Sequence, residues 1–357
     1  MTIKKRIFLI IKILIISLFI IVGLGFCAFC ALQYSGKQKL LQNSSDKPDL
    51  SVVRGSDSQI TTSTEYVEEE NWQEGDIRYG DSIYRYNSDI ITFLFLGIDR
   101  MDTVKEAKNG MDGGQSDAMF LLVLNPHNKQ ISIIGINRDT MTDIDVYSKQ
   151  GSYMGTTKGQ ICLQHGYGDG LEVSCERTVN AVSGLFYHLP IHGYAAVNMG
   201  AIPLINDAIG GVTLTALETV SYEKGKIKEG QEIHLKGKTA YYYLHNRDLK
   251  SFNSAGRRLD RQKQYIKEYF KVAKQVLKDD ITLPVKLYNT LSKYMVTDIT
   301  VDEVSFLATE VSDYTLSEDN MYSLKGETQM GEKFEEFYVD EQALYDLILN
   351  VFYEKVE

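Results

Sequence analysis

The sequence predicts an α/β domain, with a central mixed β-sheet flanked by helices, preceded by one N-terminal transmembrane helix. Three observations support this prediction. An uncharged apolar run covers residues 13–32. Short continuous apolar runs that end at turn residues are typical of strands buried on both faces. A stripe of apolar residues at intervals close to 3.6, which follows Arg257, is typical of an amphipathic helix.

The N-terminal apolar run indicates a membrane anchor. About 20 uncharged residues, at a rise of 1.5 Å each, span a hydrocarbon core of about 30 Å. Only basic charges precede the run, so residues 1–12 are expected to form a cytoplasmic tail. The alternative is a cleaved signal peptide, whose apolar core is shorter and ends at a small-residue site. We expect a single-pass cell-membrane protein whose remaining chain is extracellular.

Composition limits what the extracellular part does. The chain carries a net charge of −10, and a duplex-binding domain usually presents a basic face, so nucleic acid is not expected as a partner. Residues 33–88 are rich in Ser, Thr, Asp and Glu without sustained apolar periodicity, and predict a polar acidic stalk. A globular domain is expected over residues 89–280, which hold the candidate site residues described below. Residues 281–357 predict a C-terminal extension packed on the same domain, with a separate small subdomain as the alternative.

Three apolar runs predict the centre of the sheet. Residues 91–96 form the first run, which suits a strand buried on both faces. Residues 119–124 and 131–136 form the next two, and the turn residues Asn-Pro-His-Asn lie between them. Turn residues between two apolar runs predict a β-hairpin, in which Leu124 pairs with Ile131.

Later segments of the chain predict both helices and strands. Residues 178–186 and 202–209 have helical spacing, and residues 212–216 follow a Gly-Gly turn as a strand. The clearest helix begins near Arg257. Its apolar stripe consists of Leu259, Ile266, Phe270, Ala273 and Leu277.

The predicted hairpin places charged residues at its open end. If Leu124 pairs with Ile131, Asp117 lies opposite Arg138, and directly opposed Cβ atoms are about 5 Å apart. Asp99 follows the carboxyl end of the first strand, which is the edge of an α/β sheet where ligands tend to bind. These three residues are candidates for a site, although a single Asp–Arg pair is also common as a structural salt bridge.

A second basic cluster lies further along the chain. On the predicted helix, Arg258, Arg261 and Gln262 share one polar face with Tyr265. Arginine forks and a helix N-terminus suit phosphate oxygens, and nearby carboxylates suggest Mg²⁺ or Mn²⁺. The alternative is a solvated face. The basic cluster consists of His245, Arg247, Arg257, Arg258, Arg261 and Lys263.

The cysteines outside the apolar run are Cys162 and Cys175. A pair of cysteines in an oxidising compartment favours a disulfide. The alternative is two free thiols, because spacing along the chain does not establish that their Cα atoms are close enough.

Several ordered motifs resemble those of the LytR-CpsA-Psr family of Gram-positive cell-envelope enzymes. The resemblance covers about residues 90–277. The order of the motifs and the step from Asp117 to Arg138 are more specific than any single motif. The motifs are FLFLGID, GQSDAMFLLVLNPHNKQISIIGINRDT, AIPLINDAIGGV, GKTAYYYLHNRD and RRLDRQ.

The resemblance implies a phosphotransferase that moves a glycopolymer from a polyprenyl-pyrophosphate carrier to peptidoglycan. Asp99 and Asp117 match the family's magnesium-associated carboxylates, so Mg²⁺ is the expected cofactor. The residues expected to be catalytic are Asp99, Asp117, Arg138, Arg247 and Arg258. The residues expected to bind the pyrophosphate are Arg138, His245, Arg247, Arg258, Arg261 and Gln262.

The sequence departs from the family pattern at several positions. Many members have Arg where Gln115 stands, Pro where Asn137 stands, Arg where His245 stands and Lys where Gln160 stands. The predicted site of this chain therefore carries fewer fixed positive charges than the site of those family members. Two other functions use the same site: hydrolysis of the polyprenyl pyrophosphate, and non-catalytic binding of polyprenyl phosphates or glycopolymer by an envelope regulator.

Overall fold

The computed structural model describes residues 30–40, 47–50, 60–61, 72–108 and 112–356. The predicted transmembrane segment, residues 13–32, lies outside these ranges except for its last three residues. Across the described ranges, we find no helix that combines the length and the apolar character needed to cross a membrane.

The elements are numbered in chain order. The strands are β1 (Ile60–Thr61), β2 (Ile77–Tyr79), β3 (Ser82–Tyr86), β4 (Ile91–Ile98), β5 (Ser116–Asn125), β6 (Gln130–Ile136), β7 (Met141–Tyr147), β8 (Tyr153–Gln160), β9 (Gly193–Asn198), β10 (Val212–Thr215), β11 (Val220–Tyr222), β12 (Gly225–Ile227), β13 (Glu232–Leu235), β14 (Met295–Thr297), β15 (Met321–Ser323), β16 (Gly326–Met330), β17 (Glu335–Val339) and β18 (Tyr353–Val356). The helices are α1 (residues 30–40), α2 (Glu172–Leu185), α3 (Ile202–Ala208), α4 (Lys238–His245), α5 (Ser254–Asp279), α6 (Leu283–Leu291), α7 (Val301–Glu310) and α8 (Glu341–Phe352).

The main sheet has the strand order β14-β9-β4-β5-β6-β15. It is mixed, because β4 runs parallel to β9 and β6 parallel to β15, whereas the other neighbours are antiparallel. The predicted hairpin is present as β5–β6, and Leu124 pairs with Ile131. The prediction of a mixed sheet flanked by helices is therefore confirmed.

Helices cover both faces of this sheet. On one face, α2 and α8 pack on side chains such as Leu94 and Leu121. On the other, α5 and α7 pack on alternate residues of the same strands, including Phe93 and Phe120. Burying one such side chain stabilises the fold by about 1.5–3 kcal/mol. This alternation explains why the three central strands read as continuous apolar runs.

A smaller apolar cluster forms beside the main sheet. It joins the strand pair β10–β13 to helices α3, α4, α5 and α6. Tyr243 of α4 and Leu235 of β13 are fully buried in it. Because α4 ends and α5 begins next to the main sheet, this cluster sets where the basic residues of both helices lie.

The folded region begins before the predicted boundary at residue 88. Within the predicted stalk, 33–88, strands β2 and β3 pair with each other, and β3 pairs with β18 near the C-terminus. Leu40, at the end of α1, is also buried. The prediction missed these parts because β2 and β3 are short, bury few side chains and show no long apolar run. The segment 281–357 contributes β14 and β15 to the main sheet.

Candidate active site

Three elements bring charged residues to one edge of the main sheet. Strand β4 ends at Ile98, just before Asp99. Strand β5 runs antiparallel to it and begins at Ser116, just before Asp117. Strand β6 ends at Ile136, two residues before Arg138. The sequence prediction that these residues share one end of the sheet agrees with the structure.

A β-bulge sets the direction of Asp117. Gly97 pairs with Ala118 and Ile98 pairs with Ser116, so Asp117 is an extra residue in β5. A bulged residue leaves the regular alternation of a strand, and bulges often re-aim a side chain at a functional site. The carboxylate of Asp117 is buried, and it lies among cationic side chains.

Two arginines bind the carboxylate of Asp117. Arg138 donates from Nη1 to Oδ1. Arg258 donates from Nη1 to Oδ2 at 3.0 Å, and its Nη2 donates to the Asp117 carbonyl oxygen at 2.9 Å. A buried charge is stable only when it is paired and hydrogen-bonded, and this arrangement meets that condition for Asp117.

Arg138 has further partners that hold its guanidinium in place. Its Nη2 donates to Gln115 Oε1 at 2.5 Å and to Cys162 Sγ at 3.1 Å. Its Nε lies 3.3 Å from Asp139 Oδ1. Gln115, which stands where many family members have Arg, thus accepts a hydrogen bond from Arg138 and adds no charge of its own.

The arginines lie close enough to repel one another. Burial, followed by the charges of Arg247 and Arg138, lowers the pKa of Arg258 to about 9. Burial and the charge of Arg138 also lower the pKa of Arg247. Arg247 donates from Nη1 to Ser254 Oγ, at the start of α5, at 3.0 Å. These three cations have the carboxylates of Asp117 and Asp139 among them, and such a group of arginines is an electrostatic site for an anion.

His245 lies at the end of α4 beside this group. Its ring stacks on Tyr241 with centroids 4.9 Å apart, and its Nδ1 lies 3.2 Å from Asn246 Oδ1. Burial lowers its pKa, and the positive charge of Arg258 acts in the same direction. His245 is therefore neutral near pH 7. Because Asn246 Oδ1 accepts from Nδ1, the single N–H of the ring is already used, and His245 brings no fixed cation to a position where many family members have one.

Arg261 and Gln262, both predicted to bind the pyrophosphate, donate to backbone carbonyl groups of the protein. Arg261 donates to the carbonyl oxygens of Tyr243 and Asn246, and its Nε lies 2.7 Å from Glu218 Oε1. Gln262 donates to the carbonyl oxygen of Leu244 at 3.1 Å. The last carbonyl groups of a helix lack partners within it, and these side chains satisfy those of α4. The structure does not support Arg261 as a pyrophosphate ligand, because its guanidinium is buried and used within the protein.

The predicted disulfide is contradicted. Cys162 and Cys175 are both buried free cysteines. Cys162 contacts Arg138, whereas Cys175 Sγ lies 3.9 Å from His165 Nε2. Burial raises the pKa of Cys162 to about 11 and raises that of Cys175 as well, so both are protonated thiols.

Asp99 faces a cavity of about 370 Å³. Its side chain is exposed, and Oδ1 accepts a hydrogen bond from the Gln115 backbone N–H at 2.7 Å. Tyr167 and Gly114 also line the cavity. At Gly114, where φ is +82°, a Cβ would lie 3.0 Å from Asp99 Oδ1, so the close approach requires glycine.

These carboxylates form an oxygen-only donor set that suits Mg²⁺. Mg²⁺ typically takes one or two protein carboxylates together with substrate phosphates. Asp99 is open to the cavity, and Asp117 retains lone pairs beyond those that its arginines use. The described part of the chain holds no cluster of three or more His, Cys, Asp or Glu side chains arranged for a metal, so phosphate oxygens would have to complete the coordination.

Asp139 and Gln160 support the site and were not predicted as site residues. Asp139 is buried, and Gln160 Nε2 donates to its Oδ1 at 3.0 Å and to the Glu335 carbonyl oxygen at 2.8 Å. Burial raises the pKa of Asp139. The signal in the sequence was its position directly after Arg138, in the motif NRDT.

Together, the fold and the site define an α/β/α protein with an arginine-lined anion site at one edge of its mixed sheet. The chain belongs to the LytR_cpsA_psr family, whose model matches residues 51–349. The match extends past residue 277, where the recognisable motifs end, to include strands β14 to β17 and most of α8.

Similar proteins carry names that concern the bacterial wall. The "Polyisoprenyl-teichoic acid--peptidoglycan teichoic acid transferase TagU" of Oceanobacillus iheyensis is 30% identical over 224 residues, which are 62% of this chain and 62% of that protein. The protein of the same name from Bacillus licheniformis is 25% identical over 264 residues, 73% of this chain and 76% of the relative. This chain thus spans less than two thirds of the length of the first relative.

Solved structures share the fold. B. subtilis TagV matches with a TM-score of 0.57 and 23% identity, over 73% of this chain and 95% of that chain. Protein gbs0355 from Streptococcus agalactiae matches with a TM-score of 0.59 and 20% identity, over 73% of this chain and 86% of that chain. The structure titled "TagT bound to LIIa-WTA" matches with a TM-score of 0.52 and 19% identity, over 73% and 89%.

Proposed function

We propose that this protein is a membrane-anchored phosphotransferase that attaches a glycopolymer from a polyprenyl-pyrophosphate carrier to peptidoglycan. The observation that carries the proposal is the grouping of Arg138, Arg247 and Arg258 around the bulged Asp117, next to the open carboxylate of Asp99. The names of the relatives, which combine a polyisoprenyl-linked teichoic acid with peptidoglycan, support this choice of donor and acceptor.

The arginines would bind and orient the pyrophosphate. Phosphoryl transfer depends mainly on positioning and on neutralising charge at the phosphate oxygens. Arg258 and Arg138 are held by Asp117, so their side chains are ordered before the donor arrives. Asp99 and Asp117 would hold Mg²⁺ or Mn²⁺, which supplies further charge neutralisation when bound.

A carboxylate of the site would accept the proton of the acceptor hydroxyl. Both oxygens of Asp117 bond to arginines, which reduces its basicity. Asp99 is exposed to the cavity and is therefore better placed. The predicted anchor at residues 13–32 would keep the extracellular domain at the membrane, where a lipid-linked donor is presented.

The test uses the full chain reconstituted in lipid vesicles. It is given a polyprenyl-pyrophosphate glycan, peptidoglycan oligomers and Mg²⁺, and both glycan-linked peptidoglycan and polyprenyl monophosphate are measured. We expect both products in equal amounts. Polyprenyl monophosphate without linked glycan would show hydrolysis, and donor binding without either product would show a non-catalytic binder.

Arg247→Ala tests the position of the pyrophosphate site. Removing one charge that neutralises a transferred group typically lowers turnover by about 10²–10³-fold. Lys250→Ala is the matched control, because Lys250 is exposed in the same loop and we assign it no role. We expect near wild-type turnover from the control, and a loss for Arg247→Ala with an unchanged unfolding midpoint. Equal turnover of the two variants would place the pyrophosphate elsewhere.

A further inference from the structure

A groove of about 690 Å³ opens beside the candidate active site. The β7–β8 hairpin forms one wall, α2 forms the floor, and the corner between β17 and α8 forms the other wall. The residues that matter for its chemistry are Asp143, Lys158, Arg177, Gly184, Tyr338 and Glu341.

Specific side-chain contacts fix the walls of the groove. Gln164 is buried, its Oε1 accepts from the Asp145 backbone N–H at 2.8 Å, and its Nε2 donates to the Asp145 carbonyl oxygen at 3.0 Å. The guanidinium carbon of Arg177 lies 3.4 Å from the centroid of the Tyr147 ring. These contacts hold the hairpin over α2, so the groove exists before any ligand binds.

The groove is continuous with the catalytic edge. Its wall β7 begins at Met141, three residues after Arg138, and three extended residues span at most about 11 Å. Arg177, which lines the groove, donates from Nη1 to the carbonyl oxygen of Tyr167, and Tyr167 lines the cavity at Asp99. A ligand in the groove would therefore extend toward both Arg138 and Asp99.

The groove and Arg258 approach the catalytic edge from opposite faces of the sheet. The groove lies on the α2 face, whereas Arg258 comes from α5 on the other face. In phosphoryl transfer, the attacking and leaving oxygens lie roughly in line with the phosphorus between them. Two substrates that reach the edge from opposite faces are compatible with this requirement.

We propose that this groove binds the acceptor, a peptidoglycan glycan strand with its peptide stems; the proposal rests on the proposed transferase function. The groove is lined by charges of both signs: Lys158 and Asp143, which form an exposed ion pair on the hairpin wall, together with Arg177 and Glu341. Stems that carry amines and carboxylates match such a lining. Tyr338 offers an exposed aromatic side chain to a sugar ring.

The bound strand would present a sugar hydroxyl at the catalytic edge. The hydroxyl oxygen forms a bond to the glycan-linked phosphorus, and the bond from that phosphorus to the bridging oxygen breaks. The polyprenyl monophosphate leaves with the bonding electrons, and the hydroxyl proton passes to Asp99. The strand then carries the glycan through a phosphodiester.

Gly184→Tyr is the sharpest test, because it fills the groove without disturbing the fold. A Cβ at Gly184 would meet no atom within 4 Å, and replacing a helical glycine by another residue does not weaken α2. Val173→Tyr is the matched control, since Val173 is exposed on the same helix and does not line the groove. Tyr338→Ala, which removes part of a wall, is a second variant.

Binding of peptidoglycan oligomers and transfer are measured with the full chain in vesicles. We expect Gly184→Tyr to raise the Kd and the acceptor KM at least tenfold, Tyr338→Ala to raise both severalfold, and Val173→Tyr to change neither beyond twofold. Donor binding should match wild type in all three. Unchanged acceptor KM values in both groove variants would overturn the acceptor site and leave the transferase function standing. A wild-type protein that forms no linked product would instead overturn the function itself.

Discussion

At the scale of single residues, the hairpin register predicted the central contact of the site. The pairing of Leu124 with Ile131 placed Asp117 near Arg138, and the two side chains form an ion pair. The bulge that turns Asp117 toward Arg258 could not be read from the sequence, because it depends on how β4 meets β5. The same holds for Arg261, whose role follows from where α4 ends.

The two candidate metal carboxylates should respond differently to neutralisation. In Asp117→Asn, Arg138 and Arg258 lose a buried partner, and breaking a buried ion pair typically costs about 3–5 kcal/mol. In Asp99→Asn, an exposed side chain changes, so we expect a change within about 0.5 kcal/mol. Chemical unfolding measures both free energies. A similar cost for the two variants would show that Asp117 does not stabilise the arginines.

Turnover should fall in both variants, because each carboxylate is proposed to act in the reaction. Comparing the unfolding free energy with the turnover of each variant therefore separates a structural role of the carboxylate from a role in the reaction. An Asp99→Asn protein with wild-type stability and wild-type turnover would exclude Asp99 from the reaction. Mg²⁺ binding, measured by calorimetry with donor present and acceptor absent, provides a readout that does not depend on turnover.

At the scale of elements, the apolar pattern of the sequence predicted the strands that are buried on both faces. It missed the strands that are exposed or very short. Strands β4, β5 and β6 were predicted because nearly every residue in them packs against a helix on one face or the other. The β7–β8 hairpin was missed, because most of β8 is exposed and carries no apolar pattern. Edge strands β14 and β15 are only three residues long and give no periodic signal.

The β5–β6 turn provides a pH-dependent contact between elements. His127 Nε2 lies 2.8 Å from Asp89 Oδ2, and its Nδ1 lies 2.8 Å from Glu354 Oε1 in β18. Hydrogen bonds to Asp89 and Glu354 raise the pKa of His127. A raised pKa in the folded state means that the contact stabilises fully below the ordinary value of 6.5 and is lost as pH rises through the folded value.

His127→Gln should remove this dependence. Because these side chains are about half exposed, solvent screening limits the effect to about 0–1 kcal/mol. We expect the difference in unfolding free energy between wild type and variant to shrink as pH rises above about 6.5, measured by denaturant titration at several pH values. A constant difference across that range would mean that the imidazolium does not stabilise the turn.

At the scale of the whole molecule, the segment that follows the predicted anchor is docked on the domain. Ser35 donates to Asp302 Oδ2 at 2.9 Å, Lys39 lies 2.9 Å from the same oxygen, and Gln33 donates to the Ser305 carbonyl oxygen at 2.9 Å. Leu40 is buried against the α5–α7 face of the sheet. The sequence predicted a stalk from residue 33, because the docking of α1 depends on three polar side chains and one leucine. Such contacts produce no apolar run in the sequence.

This docking predicts that α1 and the domain move as one body, so that residues 13–32, if they form the predicted anchor, connect to the domain directly through α1. Gly36 tests the contact, because a Cβ there would lie 2.5 Å from the Asp302 carbonyl oxygen, and only glycine allows the approach. In Gly36→Leu we expect the amides of residues 33–40 to exchange with deuterium at least tenfold faster. Gln38→Leu, on the exposed side of α1, should exchange as wild type does. Equal exchange in all three proteins would mean that α1 is not docked on the domain.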